Sequence, residues 1–247
     1  MNADHTPHRT ATARRSLLRG LAGAVTLGGG LALGAAPASA ASHGAKAPTS
    51  PRPTTADEAL RELAAGNRRW RSYCERHPDE TPAVRQSLTT GQHPFAVILG
   101  CIDSRVPPEL VFDQGLGDLM TVRTAGEVLD EAVLGSVAYG VLELGIPLVM
   151  VLGHQSCGAV KAAVQADLSG EPLPAHIQYL ADQIAPNIDR TKEGDARVDS
   201  TIDANIRAVR SRLAAEPDLA AKISTGALTV VGARYELTTQ LVHRVDR

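Results

Sequence analysis

The 247-residue sequence has few aromatic residues, only three cysteines and no excess of basic side chains. Aromatic residues make up 3%, so the core must be built from aliphatic side chains. Three cysteines are an odd number, which argues against a disulfide framework in a chain of this length. The sequence also has no Cys-x-x-Cys pair, so a thiol oxidoreductase is not indicated. The formal net charge of −2 argues against nucleic-acid binding, which requires clustered positive charge. There is no internal repeat and no heptad run.

Residues 1–40 have the features of a twin-arginine-type signal peptide. Arg14 and Arg15 precede an uncharged, glycine-rich stretch, and a small-x-small sequence typical of signal-peptidase sites ends at Ala40. The stretch is too short and too rich in glycine to predict a membrane anchor. Cleavage would leave 21 basic and 26 acidic residues, a mildly acidic protein. We therefore expect an exported or secreted protein with no stable membrane span.

The remainder of the chain predicts one α/β domain behind a short tether. Residues 41–55 are rich in Pro, Ser and Thr and predict a flexible linker, and residues 56–247 are long enough for a single core. Apolar runs alternate with helical patterns, which predicts a mostly parallel central sheet flanked by helices on both faces. The strands are predicted at residues 95–100, 118–123, 147–153 and 227–237. The spacing of Thr55 and Glu58 predicts a capping box at the start of the first helix. Apolar periodicity predicts a helix over residues 131–145, and residues 201–224 are predicted to form one or two helices.

Two short segments carry the residues that indicate chemistry. Cys101, Asp103 and Arg105 come directly after the first predicted strand, and His154 and Cys157 come directly after the third. Reactive groups gather at the carboxyl ends of parallel strands, and two residues three apart at a helix entry share a face. Two thiolates and one imidazole form a catalytic zinc ligand set with one position left open. Asp103 is the candidate fourth ligand.

Each residue also has a plainer interpretation when it is taken alone. A single histidine after a strand is often a hydrogen-bonded core residue, and a single cysteine often packs as a small hydrophobe. Asp103 and Arg105 alone could form a surface ion pair worth about 0–1 kcal/mol. Because three such residues occur together at strand ends, the zinc interpretation is favoured over these.

The two segments resemble the zinc motifs of the β-class carbonic anhydrases. Cys-x-Asp-Ser-Arg at residues 101–105 and His-x-x-Cys-Gly at residues 154–158 match, as do the stretches GNRRW, GQHPF, GDLMTVRTAG and VVGARYEL. The resemblance implies an α/β sheet that forms a homodimer or a higher even oligomer, with the active-site cleft at the subunit boundary. It also implies reversible hydration of CO2 to bicarbonate and a proton through zinc-bound hydroxide.

The resemblance assigns roles to individual residues. It implies one Zn2+ per subunit on Cys101, His154 and Cys157. It implies a catalytic dyad of Asp103 and Arg105, in which Arg105 holds Asp103 and Asp103 accepts a hydrogen bond from the hydroxide. It places Gln92, Tyr139 and Gly158 at the substrate. If the bonds from Arg105 to Asp103 break, the resemblance implies that Asp103 would instead bind zinc as a fourth ligand and block water.

Thr124 and Glu127 depart from the family pattern, which usually reads RNAGN at this point. Loss of the asparagine bears on loop geometry and dimer contacts, and leaves the metal ligands unchanged. Two alternative functions stay open: hydrolysis of CS2 or COS on the same fold, and a non-catalytic zinc- or bicarbonate-binding module.

Overall fold

The computed structural model describes residues 52–245, so the predicted signal peptide and most of the predicted linker lie outside the described residues. The described chain forms the helices α1 (Ala56–Arg71), α2 (Pro82–Ser87), α3 (Pro108–Val111), α4 (Glu131–Leu142), α5 (Gly158–Ser169), α6 (Ile177–Ile184), α7 (Gly194–Ala215) and α8 (Pro217–Ser224). Its strands are β1 (Ala96–Gly100), β2 (Leu119–Arg123), β3 (Leu148–His154), β4 (Thr229–Tyr235) and β5 (Val242–Arg244). Short 3-10 turns lie at Leu88–Thr90, Ala125–Glu127 and Ala185–Asn187.

The five strands form one sheet in the order β2-β1-β3-β4-β5. The first four are parallel, and β5 pairs antiparallel with β4 at the edge. Every residue of β1 and β3 is buried, as expected for parallel strands covered on both faces. This arrangement confirms the predicted fold class, a mostly parallel sheet flanked by helices.

The two faces of the sheet have different cores. Helices α4 to α8 cover one face with an aliphatic cluster, in which Val133, Val137 and Val141 form the buried stripe of α4. Helices α1 and α3 cover the other face, where Phe95 and Phe112 are buried. Aliphatic residues therefore dominate, as predicted, and the few buried aromatics of the described chain lie on the α1 side.

Polar side chains fix where the folded domain begins. Thr55 caps α1 through a reciprocal pair of bonds with Glu58, the predicted capping box. Arg52 donates to the Gly117 carbonyl at 2.8 Å and to Asp118 Oδ1 at 2.8 Å. The end of the predicted linker therefore contacts the domain. Among the helices of residues 52–245, none combines the length and hydropathy of a membrane span.

Candidate metal centre

Cys101, His154 and Cys157 converge at the carboxyl end of the sheet. Cys101 directly follows β1, His154 is the last residue of β3, and Cys157 is the N-cap of α5. The candidate ligand atoms all lie within 4.8 Å of one another, and the two sulfurs are 3.9 Å apart. The chain leaves β1 toward β2 on one side while β3 lies on the other, so the site occupies the switch point at which α/β sheets bind ligands. The predicted three-residue cluster is therefore brought together.

The backbone between His154 and Cys157 is folded back to bring both side chains to one point. Ser156 adopts a left-handed conformation with φ of +57°, which reverses the chain before α5 begins. Gly153 lies against α7, where a Cβ atom would come within 2.5 Å of Ile206 Cδ1. A glycine is thus required just before His154 because the helix approaches the strand closely.

The His154 ring has one nitrogen committed and one available. Nδ1 lies 2.9 Å from the Gln155 carbonyl oxygen, and because a carbonyl only accepts, Nδ1 carries the proton. Nε2 is then a lone-pair acceptor, and it is buried without a hydrogen-bond partner in the described chain. A buried acceptor without a partner is costly unless something binds it. This nitrogen, facing two sulfurs, fits a zinc ion and its preference for imidazole and thiolate.

The two thiols are electrostatically linked. A hydrogen bond from Cys157 lowers the pKa of Cys101 to about 4, and holding that proton raises the pKa of Cys157 above its usual value. The two sulfurs thus share the proton of this hydrogen bond. A divalent cation would replace that proton and hold both sulfurs as thiolates.

Asp103 and Arg105 form a bidentate pair beside the ligand cluster. Arg105 donates from Nε to Oδ1 at 2.9 Å and from Nη2 to Oδ2 at 2.7 Å. These bonds lower the pKa of Asp103 to about 2, so the carboxylate is ionised at neutral pH. Asp103 Oδ2 lies 3.8 Å from His154 Nε2. The carboxylate thus stands at the edge of the cluster while Arg105 holds it.

Arg123 is a site residue that the sequence analysis missed. From the end of β2 it donates to the carbonyls of Cys101 at 2.8 Å and of Asp103 at 2.7 Å, which fixes the backbone of the first motif. The sequence feature that could have identified Arg123 is its position at the end of a predicted strand, within the matched stretch GDLMTVRTAG. A guanidinium is often a surface group, so this feature did not single it out.

The turn that carries Thr124 and Glu127 reaches the site through its backbone. The Gly126 N–H donates to Cys101 Sγ at 3.5 Å, and Thr124 Oγ1 donates to the Val128 carbonyl at 2.9 Å. Glu127 is buried in a left-handed conformation with φ of +53°. Burial, and then the nearby charge of Cys101, raise its pKa well above the usual value. The turn therefore accommodates Thr124 and Glu127, and its Gly126 N–H donates to the Cys101 sulfur.

The three residues assigned to the substrate are exposed in the single chain. Gly158 is the first residue of α5, beside the cluster, and open space surrounds its Cα. Tyr139 is 50% exposed on α4, and Gln92 is exposed before β1. With two of the three cysteines assigned to the metal, Cys74 is predicted to be a half-buried free thiol; the prediction of burial is wrong, since Cys74 is exposed.

The comparisons with known proteins agree on one family. The carbonic anhydrase family profile matches residues 96–242. Carbonic anhydrase 2 of Mycobacterium tuberculosis is 41% identical over 187 residues, which cover 75% of this chain and 89% of that protein. The carbonic anhydrase of Mycolicibacterium smegmatis is 41% identical over 181 residues, which cover 72% of this chain and 88% of that protein.

Solved structures give the same result for the fold. The β-carbonic anhydrase CcaA superposes with a TM-score of 0.59 at 25% identity, covering 74% of this chain and 93% of that one. CafA of Aspergillus fumigatus, also a β-carbonic anhydrase, gives a TM-score of 0.62 at 22% identity over 76% of this chain and 90% of that one.

The chain belongs to the β-class carbonic anhydrase family. Its enzyme class is carbonate dehydratase, a lyase, and its Cys101/His154/Cys157 cluster is consistent with the zinc site of that family.

Proposed function

We propose that Asp103 and Arg105 are the catalytic pair for the reversible hydration of CO2 in this protein. The observation that carries the proposal is the position of the Asp103 carboxylate, bound by two Arg105 bonds and 3.8 Å from the available nitrogen of His154. A carboxylate at this place lies beside any small molecule that meets the three ligand atoms.

Cys101, His154 and Cys157 would hold zinc, which would supply an acidified water as the nucleophile for CO2. Asp103 accepts a hydrogen bond from the O–H of this nucleophile and so aims its lone pair at the carbon. Asp103 can do this across the neutral range because Arg105 keeps its pKa at about 2. Arg105 also restrains the carboxylate from turning toward the three ligand side chains.

Gly158 is proposed to receive the anionic product. Its N–H is at the first turn of α5, where backbone donors have no partner within the helix and the dipole favours negative charge. Bicarbonate that forms beside Cys157 would lie next to this N–H. The backbone donor needs no side chain, which is consistent with glycine at the position.

Gln92 and Tyr139 are proposed to line the substrate cleft at a subunit boundary. Both are exposed in the single chain, which supports a role in which a second subunit covers them. We propose a homodimer or a higher even oligomer as the active form. One of the solved relatives is described as tetrameric.

The predicted signal peptide leads to a proposal on location. Arg14, Arg15 and the small-residue sequence ending at Ala40 support export by the twin-arginine route. Replacing both arginines with lysine in the full chain should retain the protein inside the cell, and equal export of both forms would contradict this proposal.

The activity is tested by zinc analysis and stopped-flow assays of the purified protein on CO2, COS and CS2. We expect one zinc per chain and hydration of CO2 as the fastest reaction. A faster rate on COS or CS2 would identify a hydrolase instead. Zinc without CO2 hydration at pH 8.5 would identify a non-catalytic binding module.

A further inference from the structure

A buried asparagine outside the ligand cluster is connected to Cys101 through one residue, Gly126. Asn205 lies on α7, is 2% exposed, and donates from Nδ2 to the Gly126 carbonyl at 2.8 Å. The N–H of Gly126 in turn donates to Cys101 Sγ at 3.5 Å. Gly126 therefore accepts from Asn205 with its carbonyl and donates to the Cys101 sulfur with its N–H.

The orientation of the Asn205 amide is fixed by a second asparagine. Asn187 donates from Nδ2 to Asn205 Oδ1 at 3.0 Å, so the Asn205 oxygen is occupied and its nitrogen must face Gly126. Both asparagines line a cavity of about 220 Å³ between α7 and the turn after α6.

The Gly126 turn needs such an anchor because its backbone is unusual. Gly126 and Glu127 both have positive φ values, +67° and +53°, and the second is rarely adopted by a residue with a side chain. Burial of the Glu127 carboxyl adds a cost at the same turn, since its Oε1 has no hydrogen-bond partner in the described chain. A strained turn keeps one orientation only where its surroundings hold it.

We propose that Asn205 is a positioning residue for the zinc site, which keeps the Gly126 N–H directed at the Cys101 sulfur. The inference rests on the proposed use of Cys101 as a zinc ligand. A hydrogen bond to a ligating thiolate withdraws charge from the sulfur and orients it, and such partners typically contribute 10–100-fold to metal affinity. Asn205 does not contact the metal position itself and acts on it through Gly126 and Cys101.

The test compares Asn205→Leu with Thr201→Val in the full-length protein. Both changes conserve shape, and both residues are buried on α7 one turn apart, but the Thr201 hydroxyl bonds only within its own helix, to the Arg197 carbonyl. We expect Asn205→Leu to bind zinc about tenfold more weakly than the unaltered protein, whereas Thr201→Val binds zinc as the unaltered protein does. The melting temperature of each zinc-free protein gives the structural effect separately.

A spectrum of the cobalt-substituted protein reports on the sulfur itself. Loss of a hydrogen bond raises the energy of the sulfur lone pairs, so Asn205→Leu should move the sulfur-to-cobalt charge-transfer band to longer wavelength. Thr201→Val should leave the band in place. Asn187→Ala, at a half-buried position, should move the band in the same direction by a smaller amount, which provides a second measurement if Asn205→Leu does not fold.

The possible results separate the inference from the proposed function. If the unaltered protein binds no zinc, the proposed ligand set is wrong and the inference falls with it. If the unaltered protein binds zinc and Asn205→Leu and Asn187→Ala both leave the affinity and the band unchanged, only the inference is overturned. Equal losses in Asn205→Leu and Thr201→Val, with no shift of the band, would also overturn it.

Discussion

At the scale of single residues, the Asp103 carboxylate is bound by Arg105 and lies close to His154. Arg105 holds both of its oxygens, whereas His154 Nε2, the available ligand nitrogen, lies 3.8 Å from Oδ2. The pairing with Arg105 uses two parallel, charge-assisted bonds, which are among the stronger hydrogen bonds in proteins. The described structure therefore corresponds to the arrangement in which Asp103 is held away from the metal position.

Asp103→Ala should keep zinc and lose most of the activity. The three ligands are untouched, but no group remains to accept the hydrogen bond of the nucleophile, and the expected loss of kcat is about 100-fold or more. Zinc content and the CO2 hydration rate are measured together. Cys101→Ser is the matched variant, because it should lose zinc itself, and equal zinc and equal rates in the two variants would contradict these roles.

The rate of CO2 hydration should rise from pH 6 to pH 9. Two thiolates cancel the double charge of the zinc ion, which then acidifies water less strongly than in a three-histidine site. Asp103 is not the cause of the rise, since Arg105 lowers its pKa to about 2 and it is ionised over the whole interval. Stopped-flow rates at constant ionic strength test this, and a flat profile would contradict the argument from the thiolates.

At the scale of secondary-structure elements, the distance between β3 and α7 is set by one glycine. The Gly153 Cα faces Ile206, and there is no room for a methyl group between them. Gly158, only five residues on, has open space around it. The glycine just before the second motif and the glycine that ends it therefore have different physical requirements.

Gly153→Ala should destabilise the protein, and Gly158→Ala should not. The added methyl at residue 153 must push Ile206 or the helix away, at a cost of about 1–3 kcal/mol in the free energy of unfolding. At residue 158 the effect should stay within about 0.5 kcal/mol, since nothing is displaced. Urea unfolding measures the free energy of unfolding of both variants. Equal stabilities would contradict the prediction, because they would mean that α7 moves away from the added methyl group at no cost.

The long apolar elements were predictable from the sequence and the short or polar ones were not. β1, β3 and α4 carry continuous or periodic apolar residues, so their positions were predicted to within two or three residues. β5 has only three residues, and α7 begins with the polar turn Gly-Asp-Ala-Arg, well before the apolar positions of the predicted helix at residues 201–224. Among site residues, the ligands were visible because thiols and imidazole are rare, whereas Asn205 reaches the site only through tertiary packing.

At the scale of the whole molecule, the start of the domain is attached to the sheet through a buried carboxyl group. Asp118 accepts from the Gly115 N–H at 2.9 Å and from Arg52 at 2.8 Å, 66 residues away in sequence. Burial, with Asp79 nearby, raises its pKa from 3.8 to about 6. The folded protein thus binds a proton here that the unfolded chain releases between about pH 4 and pH 6.

Asp118 should make the protein less stable as the pH rises from 4 to 6. Its folded pKa lies above the unfolded value, so its favourable contribution is present below pH 4 and lost by pH 6, by at most about 3 kcal/mol. Asp118→Asn should remove this part of the pH dependence of unfolding by urea. Arg52→Ala should extend the dependence to higher pH, because the Arg52 charge opposes protonation of Asp118. Identical pH profiles in all three proteins would exclude this role.

Because the three ligand side chains lie at or after the ends of β1 and β3, a bound metal would also affect the stability of the fold. An ion held by Cys101 and Cys157 would join points 56 residues apart, and the chain between them contains β2 and α4. Closing a loop of that length lowers the entropy of the unfolded chain. In the cross-link model this stabilises the folded protein by about 4 kcal/mol. The metal would then cross-link the chain on both sides of β2 and α4, so that a chelator which stops turnover would also loosen β2, the edge strand within that loop.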